Sequence, residues 1–228
     1  MRKRLAAALA TFGLTMGGVA VATPAQAAAC TITDFSPRSV VVGLTPITRT
    51  FGVATTGCTR MGWDITESEY GMFVWKGGPQ ETFTPAYLQN SEAGPLDMVV
   101  SADSSDYQSR TRVFTDGFSL LRRTTWQSGT FNASPEPVKK GGLLTVKGRL
   151  LVVDWDEEAY VPYASRTIQI QFRTPNGTYA TVKTVKTDRN GWVNTTVRAS
   201  TTGVWRLRYG GNSAAAGSVP TGDTVQVR

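Results

Sequence analysis

Apolar and polar residues alternate with a period of two through most of the chain, most cleanly in its second half. In TIQIQFR, Ile168, Ile170 and Phe172 share one side, and Thr167, Gln169, Gln171 and Arg173 the other. In VWRLRY, Trp205, Leu207 and Tyr209 face one way, Arg206 and Arg208 the other. WVNTTVRAS sets Val193, Thr195 and Val197 against polar neighbours. This period predicts half-buried β-strands. GGLLTVKGRLLVV (141–153) reads as a longer strand entered through a turn, TYATVKTVKT as an irregular, bulged strand, and DTVQVR as the last one. TPNG, TTG and the Asn190-Gly191 pair of DRNG supply turns between them. Nowhere does the apolar spacing settle into the 3.6-residue period of a helix.

With TFNASPEPV as a first edge segment, the second half holds about seven short strands at turn-limited spacing, which describes an immunoglobulin-like β-sandwich. The first half follows a looser version of the same pattern. CTITDF, SVVVG, ITRTFGVATTGC, MGWDIT, GMFVWKG, LDMVVSAD, SRTRVF and FSLLRRTTW are its candidate strands. The stretch from Gly77 to Pro95 is punctuated by Pro and Gly and reads as loop. One strand ends near Trp126, and Pro135 and Pro137 mark an edge strand soon after, with no Gly/Ser-rich linker between. The expected fold class is all-β: two tandem immunoglobulin-like β-sandwich domains, 28–127 and 128–228, after a cleaved signal peptide at 1–27.

The leader is read from MRKR, a soft apolar run from Leu5 to Ala22, and small residues at Ala25 and Ala27. No other segment is long and apolar enough to span a bilayer as a helix, so the working chain is expected outside the cell. Two cysteines, Cys30 and Cys58, follow. An oxidising compartment lets them pair, and such a bridge closes a loop of about 28 residues and stabilises by roughly 3 kcal/mol. The alternative is a lipid anchor on Cys30, although the Leu normally three residues before a lipidated Cys is Ala27 here.

Charge changes the picture modestly. The chain has 24 basic and 17 acidic residues. Without Arg2, Lys3 and Arg4 the balance is 21 against 17, and it is uneven: 30–127 carries −2 and 128–228 carries +6. A basic second half suits an anionic polymer. With no nucleic-acid-binding motif and an exported chain, nucleic acid is not an expected partner. The chain contains no histidine, which removes Ser-His-Asp and Cys-His catalysis and His-ligated zinc. Carboxylate-pair glycoside hydrolysis stays open.

The second-half residues FNASPEPVKKGGLLTVKGRL, then DW, two tyrosines, QFR, TVKTV, TTV, GVWRLRYGGN and GDTVQVR, resemble an Ig-like module of small secreted actinobacterial proteins. The resemblance covers residues 129–228. It implies the sandwich and export, and no reaction; members are described as Ig-like or calcium-binding secreted proteins. The first half is similar to the companion N-terminal domain of such proteins. In that module Asp154-Trp155, Tyr160 and Tyr163 fall on recurrent positions, and Asp156, Glu157 and Glu158 on the spacer between them.

Candidate chemistry centres on LVVDWDEEAYVPY (151–163), which caps one end of the second sandwich. Asp154, Asp156, Glu157 and Glu158 offer oxygens for calcium, which takes six to eight, but without the EF-hand spacing or its glycine. A solvated acidic loop is the plainer reading. Trp155, Tyr160, Tyr163 and Trp192 are candidates for ligand binding, since exposed aromatic rings stack on sugars; most Trp residues in a small sandwich are core. Arg173, Lys183, Lys186, Arg206 and Arg208 form a candidate cationic stripe on one outward face. The expected function is a non-catalytic, secreted binding or adhesion protein acting on cell-wall polymer, polysaccharide or another surface protein, with no obligatory cofactor. The alternatives are a calcium-stabilised structural protein and a His-free carbohydrate-active hydrolase or its accessory module.

Overall fold

The structure is a computed structural model that describes residues 30–65, 71–74, 80–104 and 108–228. The expected signal peptide lies outside the described residues. The described chain is all-β, apart from two single 3-10 turns at Pro85–Tyr87 and Asn90–Glu92.

The first half is built on a five-stranded sheet. Its order is β2 (Ser39–Val42), β9 (Ser109–Arg122), β8 (Gly94–Ser104), β5 (Cys58–Ile65), β6 (Gly71–Val74). Only the β2–β9 pair is parallel. Two hairpin-like pairs complete it: β1 (Thr31–Ser36) with β4 (Gly52–Thr56), and β3 (Ile47–Thr50) with β7 (Gln80–Phe83). Ile32, Phe35, Val40, Phe51, Phe83, Met98, Phe118 and Leu120 fill the core between them. The continuous strand read through ITRTFGVATTGC is two strands, broken at Phe51, whose ring turns into that core. The stretch from Gly77 to Pro95, read as loop, contains β7 and both 3-10 turns. Cys30 precedes β1 and Cys58 opens β5; their sulfurs are bonded. That bond leaves the Cys30 sulfur unavailable for a lipid thioether.

The second half is a sandwich of two antiparallel sheets. In one, β12 (Gly142–Asp154) is central, with β10 (Thr124–Trp126) and β11 (Asn132–Ser134) along one edge and β13 (Ala159–Pro162) and β16 (Trp192–Ala199) along the other. The other runs β15 (Ala180–Lys186), β14 (Thr167–Arg173), β17 (Gly203–Tyr209), β18 (Asp223–Val225). The alternation read from sequence is realised: Ile168, Ile170, Trp205, Leu207 and Tyr209 meet Leu144, Val146, Leu150, Val193 and Val197 in the core. The irregularity expected in TYATVKTVKT is a register shift opposite Ile170/Gln171.

β12 serves both cores. Leu144, Val146 and Leu150 enter the second, whereas Val153 and Trp155 pack into the first. Around this crossing the chain is closely bonded. Val153 N–H donates to Arg123 O (2.9 Å), Arg122 Nε–H to Val153 O (2.7 Å), and Arg122 and Ala214–Ala216 exchange two backbone bonds of 3.0 Å.

Candidate functional site

The acidic stretch forms the turn between β12 and β13, with Glu158 in the left-handed region at φ 50°. It closes on the 3-10 turn at Asn90. Asn90 Nδ2–H donates to Asp154 Oδ1 (2.7 Å), Trp155 N–H donates to Asn90 Oδ1 (3.1 Å), and Asn90 N–H donates to Asp156 Oδ1 (3.3 Å). Glu157 N–H also donates to Asp154 Oδ1, and Arg122 lies 3.7 Å from Asp154 Oδ2. Partial burial acts to raise the Asp154 carboxyl, but the Asn90 amide, the turn N–H groups and the Arg122 guanidinium outweigh it and hold it below the usual carboxylate range. Glu157 and Glu158 are exposed. Among the described residues, no three acidic, His or Cys side chains converge to hold a metal ion.

The four aromatic candidates separate. Trp155 is 2% exposed and presents no open ring face. Tyr160 packs on the first core. Tyr163 is half-buried at the far end of β13; it meets Tyr209 edge-on at 5.7 Å, carries Arg166 over its ring at 4.6 Å, and accepts a hydrogen bond from Asn212 (3.1 Å). Trp192 is half-buried on the outward face of β16, with Lys147 Nζ 4.6 Å and Arg149 Cζ 5.8 Å from its ring centroid. Its backbone N–H donates to Asp188 Oδ1, as does that of Asn190, which fixes the preceding Asn190-Gly191 turn.

The most organised surface is the outward face of β14, β15 and β17. Alternation sets Thr167, Gln169, Gln171 and Arg173 of β14 on the outward face, where Gln171 is covered by its neighbours, and the register sets Arg208 opposite Gln169 and Arg206 opposite Gln171. Lys186 lies opposite Thr167. Gln169 Oε1 accepts from Arg208 Nη1 (2.9 Å) and Gln171 Oε1 from Arg206 Nε (2.9 Å); Gln171 Nε2–H then donates to Gln169 Oε1 (3.2 Å). Arg206 lies 3.5 Å over the Tyr179 ring and Arg173 5.2 Å from it, while Arg173 Nη1–H donates to Pro175 O (2.7 Å). Strands β14, β15 and β17 contain no Asp or Glu. Asp223 on β18 turns inward, opposite Trp205, and accepts from Ala133 N–H. None of these arginines meets a carboxylate among the described residues.

The physical consequence is positive charge that is oriented but not neutralised. An amide acceptor positions a guanidinium as a carboxylate would, yet leaves its charge intact. Along a strand, residues two apart project about 7 Å from each other, and the next strand lies about 4.8 Å away. The face therefore carries four cations, Arg173, Lys186, Arg206 and Arg208, spaced around Gln169 and Gln171. Lys183, expected in this stripe, instead turns to β16 and donates to Thr195 Oγ1 and Thr196 O. The sequence showed the arginines; it did not show the glutamines that hold them, because that role exists only once β14 and β17 are in register.

No family model and no curated protein matches the chain. Solved structures match at low identity. The D00-D0 domain of intimin is 13% identical with a TM-score of 0.33, covering 84% of this chain and 98% of that one. The three N-terminal domains of the Hoc outer capsid protein of bacteriophage RB49 are 12% identical (TM-score 0.32; 88% and 70%). A chimeric titin Z1Z2-Z1Z2 tandem is 13% identical (TM-score 0.32; 86% and 98%). Likeness at this level says nothing about a ligand, and the all-β, immunoglobulin-like assignment rests on strand order, register and the two cores.

Proposed function

We propose that this protein is an extracellular, non-catalytic binding protein that attaches to an acidic polysaccharide at a cell surface through the outward face of β14, β15 and β17. The observation that carries this reading is the set of arginines, 173, 206 and 208, held by glutamine amides and Tyr179 with no carboxylate between them. Guanidinium forks match carboxylates bidentately, and unpaired cations on a rigid sheet bind a polyanion at little cost in side-chain ordering. The disulfide and the leader-like N-terminus support action outside the cell. The division into two sandwiches near residue 127 belongs to the same reading, with β12 contributing to both cores.

Co-sedimentation with insoluble polyuronate, isolated cell wall and neutral cellulose tests it. The protein is expected to be retained on polyuronate and cell wall, released by salt, and absent from the cellulose pellet. Arg206→Gln combined with Arg208→Gln is expected to weaken retention roughly tenfold or more. Equal retention of that variant, or equal retention on cellulose, contradicts the reading.

A further inference from the structure

The arginine face ends in a pocket of about 310 Å³, where β14 begins and β17 ends. Ser165, Arg166, Thr167 and Gln169 form one wall, Tyr209 and the Gly210–Asn212 backbone the other. The lining is polar and small, near the roughly 300 Å³ lower bound of ligand pockets, so it takes one ring rather than an extended chain.

Two features set this pocket apart from a surface crevice. Arg166 is fixed, with its guanidinium over Tyr163 at 4.6 Å, its Nε–H donating to Ala164 O (2.9 Å) and its backbone N–H to Thr187 Oγ1 (2.8 Å). It has no carboxylate partner among the described residues. The Tyr209 side chain is only 4% exposed and turns into the second core, with its hydroxyl closed off from solvent beside Tyr163 and Arg166. Finally, Gln169 belongs to both places, lining the pocket and accepting from Arg208 of the cationic face.

We infer that the pocket binds one acidic sugar unit, its carboxylate on Arg166 and its hydroxyls met by Ser165, Thr167 and Gln169. The inference rests on the polysaccharide reading and deepens it: the sheet face holds the repeating charge of the polymer, and the pocket selects a hexuronate. Guanidinium selects the carboxylate, and the hydroxyl-rich wall discriminates against simple carboxylic acids.

The test is a titration of the isotope-labelled protein with glucuronate and, separately, glucose, followed at the backbone amides, with polyuronate retention measured on the same preparations. Glucuronate is expected to shift the amides of Thr167, Gly210 and Gly211 saturably, and glucose to leave them in place. Arg166→Gln is expected to weaken glucuronate roughly tenfold or more. No glucuronate response at these amides, or an equal response to glucose, overturns the pocket. Polymer retention that still depends on Arg206 and Arg208 would then leave the sheet-face reading standing. A glucuronate response lost in Arg166→Gln, without any polymer retention, supports the pocket and removes the sheet-face reading.

Discussion

At the scale of single residues, the acidic stretch is a fastening before it is anything else. Asn90 receives or donates three hydrogen bonds with Asp154, Trp155 and Asp156, more than sixty residues away in the chain. Asn90→Ala strands the Trp155 N–H and removes one of the two hydrogen bonds to Asp154 Oδ1, so it is expected to cost about 2–3 kcal/mol in denaturant unfolding. Trp155→Ala removes a buried indole from the first core and is expected to cost about 3–5 kcal/mol. The Asp154 carboxyl is held below its usual value in the folded protein. Its contribution is therefore complete above the unfolded value near ~3.9 and is lost as pH falls through the lower, folded value. An acid titration of stability should show this limb, and Asn90→Ala should shrink it. Calcium in place of chelator is expected to leave the melting midpoint unchanged, because Asp154 and Asp156 are already engaged by Asn90 and Arg122.

At the scale of elements, legibility follows periodicity. β14, β16 and β17 stand where strict alternation put them, because one buried and one wet face force a period of two. The Asn190-Gly191 turn was equally readable: Gly191 sits at φ 78°, and a Cβ there would lie 2.4 Å from Leu150 O. Gly191→Ala is accordingly expected to cost about 2 kcal/mol or more, measured as a shift in the unfolding midpoint. β12 was only half legible. Leu150–Val153 is a continuous apolar run, and such a run does not say which core each side chain enters. In the fold, Leu150 faces the second core and Val153 the first. β13 was missed because four residues after an acidic turn look like more loop, and its pairing with β12 is what makes it a strand. Among candidate site residues, the arginines of β14 and β17 were visible by parity, while Gln169, Gln171 and Asn90 gained their roles from pairing and packing that no local pattern encodes.

At the scale of the whole molecule, the fastening and the cationic face have different jobs. Val153 of β12 and Trp155 of the turn after it enter the first core, and Arg122 hydrogen-bonds to Val153 O and pairs with the Asp154 carboxylate, so the halves are tied through packing and polar contacts at once. Unfolding is expected as one transition in the parent, and Trp155→Ala should separate it into two, read by calorimetry. Reduction of the Cys30–Cys58 bond should lower the stability of the first half by roughly 3 kcal/mol. The cationic face lies on the sheet of the second half that does not contain β12, and its charge is uncompensated by design of its neighbours: amides and a phenol ring where ion pairs are the common arrangement. The most direct measurement is the affinity for a soluble polyuronate across a salt series, for the parent and for the combined Arg173→Gln, Arg206→Gln and Arg208→Gln variant. The account predicts that log affinity falls steeply and linearly with log salt in the parent, and that the variant binds more weakly with a shallower slope. Identical slopes and affinities in the two proteins would contradict it.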